Sequence, residues 1–223
     1  MVVHFDTAYF LAWVVAFTFG MALHYYAQAF VAYRLGDMTP RVQGRVKLNP
    51  SVHHEPFGLL MAFLLSVSPT FSGVAWGKPV PRNTFAVKGG RLTNLLIVLA
   101  GPLSNLLVAL VLSLIFKSYI NQSIRTDFLA QFVFYLILVN IFLFAFNLYI
   151  PLAPLDGLSV WRNVLPSQWS VTLQPLETYG PYILLVLIFV IPFFLRIPLL
   201  SYIINPLVVA VLNLFGLPVP VWL

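Results

Sequence analysis

The sequence predicts an all-α protein that crosses a membrane several times, and three observations carry that prediction. Hydrophobic residues make up 61% of the 223 and charged residues 8%, against roughly a quarter charged in a soluble domain. Several apolar runs reach the ~20 residues that a helix needs to cross the hydrocarbon core. The twelve Lys and Arg lie mainly in short loops between those runs, where retention of positive charge on the cytoplasmic side explains them. The net charge of +6 is therefore a matter of topology, and nucleic acid is excluded as a partner. The absence of cysteine excludes disulfides and thiolate metal sites. No polar stretch is long enough for a soluble domain, so residues 1–223 are read as a single integral membrane domain, with a core over about 8–180 and apolar segments over about 179–223.

In chain order, the N-terminus has no Lys or Arg ahead of its apolar run, and that run is longer than a signal-peptide core; the segment is expected to stay in the protein. Residues 8–33 form the first span. Residues 57–76 are apolar but interrupted by Ser66, Ser68, Pro69, Ser72 and Gly73. Arg34, Arg41, Arg45 and Lys47 precede that segment and Lys78, Arg82, Lys88 and Arg91 follow it. Both loops then belong in the cytoplasm, and the segment between them is expected to be a re-entrant element, with strand character over residues 41–48 and 74–87. Residues 93–116 and 128–150 are clear spans. Residues 179–200 make another, kinked or broken at Pro192 and Pro198, and 201–223 a shorter one cut by Pro206, Pro218 and Pro220. The total is five or six membrane segments. The N-terminus lies outside, residues 117–127 form an outer loop, and the loop holding Asp156 and Arg162 is cytoplasmic.

Polar groups inside a span are costly, and each one poses a functional question. His24 and Gln28 lie at i and i+4 within the first span, on one helix face. They read either as hydrogen-bonding glue between helices or as part of a site. Asp156 follows a helix and the prolines 151 and 154, where the chain leaves the membrane. It reads either as a cap for a helix over 158–165 or as a site carboxylate. Gly157 is expected to allow a tight turn.

Taken in order, several strings resemble the site-2 protease family of intramembrane zinc metalloproteases. They are Phe30-Val31-Ala32-Tyr33-Arg34-Leu35-Gly36-Asp37, Gly44-Arg45-Val46-Lys47-Leu48-Asn49-Pro50, His53-His54-Glu55-Pro56-Phe57-Gly58, Lys78-Pro79-Val80-Pro81, Ala100-Gly101-Pro102-Leu103-Ser104-Asn105 and Pro154-Leu155-Asp156-Gly157. The resemblance covers residues 20–180 and implies a cleft between the first, third and fourth segments that faces the cytoplasm. In that family HExxH supplies two zinc-binding imidazoles and the general base, and a distant Asp supplies the third ligand. The carry-over puts the first ligand at His24, the base at Tyr25, the second ligand at Gln28 and the third at Asp156. It places Asn105 near the site, with Asn147 and the His53-His54 pair as further cleft residues. The stretch from Asn147 to Asp156 is one residue longer than the family pattern.

Two of the four positions have changed chemistry. A phenol with a reference pKa of about 10 is no carboxylate base, and a neutral amide is a poor zinc donor beside imidazole. The expectation is a catalytically inactive relative with zinc weakened or lost, acting by binding or scaffolding transmembrane segments of other proteins among membrane lipids, in a prokaryotic cytoplasmic membrane. Two alternatives stand beside it: an active intramembrane metalloendopeptidase with an altered metal site, and a structural or transport role. In an altered site, His53 or His54 joins His24 and Asp156 on a metal with Glu55 as base; otherwise His53-His54-Glu55 is an interfacial loop.

Overall fold

The structure, a computed structural model, describes residues 7–66, 76–83, 85–87, 89–119, 127–221 and 223. Helix α1 (Thr7–Arg34) is long and apolar enough to cross a bilayer. It is an α-helix interrupted by a π-turn over Ala16–Gly20. Its end is set by Gly36, whose φ of 108° is open to glycine and strained for other residues. A short helix α2 (Thr39–Val42) follows, then α3 (Pro56–Ser66). Glu55 starts α3 by accepting from the backbone N–H groups of Phe57 and Gly58. Two further spans are α4 (Gly90–Tyr119) and α5 (Phe128–Tyr149). Helices α6 (Asp156–Val164) and α7 (Ser170–Thr178) lead into α8 (Gly180–Leu195), which carries a second π-turn over Val186–Val190, and α9 (Leu199–Leu214) ends the bundle.

Five or six membrane segments were expected. Three helices are long and apolar enough to cross, α1, α4 and α5, and a fourth span exists if α7 and α8, bent by 59°, count as one. The other apolar stretches form the shorter helices α3 and α9. The middle of the interrupted segment, residues 67–75, and most of the expected outer loop, residues 120–126, lie outside the described residues.

The expected strand character is not found: no strand forms among the described residues. Residues 41–48 hold the end of α2 and a loop, and residues 76–83 run extended as a strap without a ladder. The strap contains Pro79 and Pro81, which have no N–H to give. It is held by isolated bonds instead. Lys78 N donates to His53 O at 2.7 Å and Asn83 N to the Asp37 carboxylate at 2.7 Å. The buried Arg45 guanidinium donates to the carbonyls of Lys78 and Pro79.

Burial shows which helix is central. In their most apolar windows α5 is 61% buried and α4 33%, so α5 is the axis and α4 is the more exposed of the two. One core cluster joins Phe116 and Ala109 of α4, Ile137 and Ile141 of α5, Leu184 of α8 and Ile204 and Val208 of α9. A second joins Tyr9, Trp13, Phe17, Met21 and Tyr25 of α1 to Val139 and Leu143 of α5. The polar node lies where α1, α4 and α5 meet the N-terminus of α6.

Candidate functional site

Two backbone defects prepare the node. Pro102 lies inside α4 and has no N–H, so the carbonyl four residues earlier, that of Val98, loses its helical donor. Gln28 Nε2 donates to that carbonyl at 3.1 Å. The π-turn of α1 ends at Gly20, whose carbonyl accepts from Asn105 Nδ2 at 3.3 Å. A Cβ at Gly20 would lie 3.1 Å from Asn140 Oδ1 and 3.2 Å from Asn105 Nδ2, so the glycine makes room for both amides.

These carbonyls fix the orientation of every amide, because a carbonyl only accepts. Asn140 Nδ2 donates to Leu136 O at 2.9 Å, which leaves Asn140 Oδ1 to accept from Asn105 Nδ2 at 3.3 Å. Asn105 therefore turns its oxygen to His24 Nδ1, 2.8 Å away, and that ring nitrogen carries the hydrogen. His24 Nε2 faces Asp156 Oδ2 at 2.7 Å, within hydrogen-bond reach. The second hydrogen of Gln28 Nε2 goes to Asp156 Oδ1 at 2.8 Å. His24 and Asn105 are fully buried, Gln28, Asn140 and Asp156 nearly so. Gly101 admits this cluster against α4, since a Cβ there would overlap His24 Nε2 and come within 2.7 Å of Gln28 Nε2.

His24, Gln28, Asn105 and Asp156, chosen from sequence, are thus brought together across 132 residues. Asp156 does not cap α6. It stands in the first turn, Leu155 is the cap residue, and the carboxylate turns to α1 instead. Gly157 is helical and makes no turn; a Cβ there would overlap the carbonyl of Ile150, so close approach of α6 to the end of α5 is what requires glycine. Asn147 is buried but donates back to Leu143 O of its own helix at 2.9 Å. Asn140, missed in the sequence, takes its place in the node. The signal was present: Asn140 lies seven residues before Asn147 in an otherwise apolar span, on nearly the same face.

Tyr25 points away from the node to the strap. Its hydroxyl donates to Gly77 O at 3.2 Å and accepts from Gly77 N at 3.0 Å, so one phenol pairs with both backbone groups of a residue. Its ring stacks on His53 at 6.3 Å, and a Cβ at Gly77 would overlap that ring. His53 is fully buried, with Nε2 donating to Lys47 O at 2.6 Å. Burial pushes the His53 imidazole below its usual pKa range, helped by Arg45 and His54 and opposed by the Lys47 carbonyl. His54 Nδ1 donates to Pro50 O at 2.6 Å. Glu55 is used by Phe57 N, Gly58 N and the Trp76 indole N–H. His53, His54 and Glu55 therefore organise the loop under the strap and do not join His24 and Asp156.

The donor set tests the zinc that the resemblance implies. A catalytic zinc takes three protein ligands, each offering a lone pair. His24 Nε2 and the Asp156 carboxylate qualify. Gln28 presents its NH₂ group instead, held in that orientation by Val98 O. Among the described residues no group of three His, Cys, Asp or Glu side chains suited to a metal forms. The residues present do not fit a three-ligand zinc site. What the arrangement does is tie α1, α4, α5 and α6 into one hydrogen-bonded unit.

No protein-family model matches the chain, and no solved structure matches it. Among curated proteins it is 35% identical over 184 residues to the protein named "Putative zinc metalloprotease YwhC" of Bacillus subtilis (strain 168), covering 80% of this chain and 78% of the relative. The apolar spans make the chain an integral membrane protein, and at that identity over most of both chains it belongs to the same zinc-metalloprotease family as YwhC.

Proposed function

We propose that this chain is a site-2 protease-like member of its family that does not cut peptide bonds and instead holds transmembrane segments of partner proteins at the cleft between α1, α4 and α5. The observation that carries the proposal is the Gln28 amide, which sends its hydrogens to Val98 O and Asp156 Oδ1 where a metal-binding residue would offer a lone pair. Tyr25 supports it: its hydroxyl is spent on Gly77, and a phenol is no general base near neutral pH. Loss of such a base alone lowers a rate typically 10²–10⁴-fold. The positive charge of the loops around residues 34–47 and 78–91 supports a cytoplasmic side for the Asp156 end of the cleft.

Elemental analysis of the purified protein tests the proposal. The expected result is no stoichiometric zinc, with zinc gained by the Tyr25→Glu, Gln28→His double variant. One equivalent of zinc in the wild type, together with cleavage of a membrane substrate, would overturn it. The competing reading, an active protease with an altered site, draws on the hydrogen bond from His24 Nδ1 to Asn105, the kind of contact that orients a metal-bound imidazole. It predicts a cleavage that His24→Ala and Asp156→Ala both abolish.

A further inference from the structure

Residues 178–223 contain one charged side chain, Arg196. It sits at the turn between α8 and α9 with φ 56° and ψ 26°, the left-handed region. That conformation is costly for a residue with a Cβ, and Asn or Asp tolerate it better than Arg because their short side chains bond locally. An outlier of this kind is a reason to look for function. Arg196 is exposed and makes no hydrogen bond or ion pair with the described residues. Arginine stays charged in proteins, and residues 178–223 hold no Asp or Glu.

Arg196 lines a groove of about 540 Å³. The rest of the lining is apolar and includes Ile188, Val190, Pro192 and Phe193. Phe193 and Phe194 meet edge to face at 5.1 Å and are mostly exposed. Arg196 is the one charge at the end of an apolar helix, and a long cationic side chain at the end of such a helix reaches to the phosphate layer. An apolar groove beside a guanidinium that has no partner among the described residues matches one kind of molecule.

We propose that the α8–α9 turn is a binding site for an anionic phospholipid, with the Arg196 guanidinium on the phosphate and an acyl chain in the groove. Guanidinium suits this task because its planar fork pairs with two phosphate oxygens at once. The site is separate from the polar node, and nothing in it depends on whether the chain cleaves.

The full-length protein in nanodiscs of phosphatidylcholine and phosphatidylglycerol, released into native mass spectrometry, reads the lipid retained per chain. Wild type is expected to keep phosphatidylglycerol preferentially. Arg196→Gln should lower that retention on the order of tenfold, as for loss of one charge-assisted contact, and Arg196→Lys should restore part of it. Val190→Trp, which fills the groove and spares the charge, should also lower it. Arg196→Gly gives a sign test: relief of the left-handed backbone should raise the unfolding temperature in neutral detergent while the lipid preference disappears. Inorganic phosphate should shift neither quantity, because it supplies no chain. Equal retention of both lipids by wild type and Arg196→Gln would overturn the proposal and leave Arg196 a plain interfacial anchor. Full retention in Val190→Trp would remove the groove from it.

Discussion

Helices α1 and α8 share a backbone feature and use it differently. Each contains a π-turn, over Ala16–Gly20 in α1 and over Val186–Val190 in α8. In α1 the turn ends at a glycine, two asparagines press against it, and its carbonyl accepts a hydrogen bond from Asn105. One and two turns later, His24 and Gln28 enter the node. In α8 the turn is built of Val, Leu, Ile and Phe, and Val186 and Val190 are exposed. A π-turn alone thus marks no site. It frees and re-aims backbone groups, and the neighbouring helices decide whether polar partners meet them.

The largest effect that would break this contrast comes from the node. Asp156→Ala leaves His24 and Gln28 without their shared acceptor in a buried setting, and removal of one partner of a buried pair costs about 3–5 kcal/mol. Thermal unfolding in detergent should show a large drop, with α6 losing protection from amide exchange first. Gly101→Ala comes next, because its Cβ overlaps His24 Nε2; overpacking of this kind costs about 1–3 kcal/mol and should appear in the same measurement. Gly20→Ala, with contacts at 3.1 and 3.2 Å, should cost about 1 kcal/mol, the low end of that range. The matching change in α8, Val186→Ala, touches an exposed residue and should stay within about 0.5 kcal/mol. Equal losses at Gly20 and Val186 would erase the distinction between the two turns.

A smaller and local effect concerns pH. Burial holds His53 below its ordinary pKa, so the folded loop keeps it neutral while the open loop takes up a proton. The stability this contributes is complete above the ordinary histidine value of about 6.5. It is lost as pH falls from there toward the depressed folded value. Amide exchange at Lys78, whose N–H is bound to His53 O, should quicken below that pH in wild type and lose the dependence in His53→Gln.

Much of the node was legible in the sequence, because its members are polar residues in apolar spans. His24 and Gln28 share a face by helical spacing, and Asp156 follows an apolar span and two prolines. The resemblance to a metalloprotease motif joined them, and the structure brings them within hydrogen-bond reach. What stayed hidden depends on backbone irregularity or on contacts between distant segments. The π-turn of α1 shifts which carbonyl is free, and no residue pattern announced it. The free carbonyl of Val98 was readable from Pro102, but its acceptance of Gln28 was not. Tyr25 was read as a substituted base; its bond to Gly77 depends on a strap whose course follows from prolines and the buried Arg45. The strand expectation failed for the same reason, since residues 76–83 form a strap held by isolated bonds, with no neighbouring strand among the described residues.

The span from His24 to Asp156 also sets an order of events during synthesis. The two residues are separated by 132 positions, and a chain elongating at about 5–20 residues per second takes on the order of ten seconds to cover them. For that interval α1 has been made, with a histidine and a glutamine facing no carboxylate. Helix α1 must either wait at the edge of the insertion machinery, in contact with water, or enter lipid with those groups borrowed by α4, which emerges earlier and already brings Asn105 and the carbonyl of Val98. The polar node is therefore also a timing constraint: the first helix made becomes fully accommodated only after the ribosome has passed residue 156.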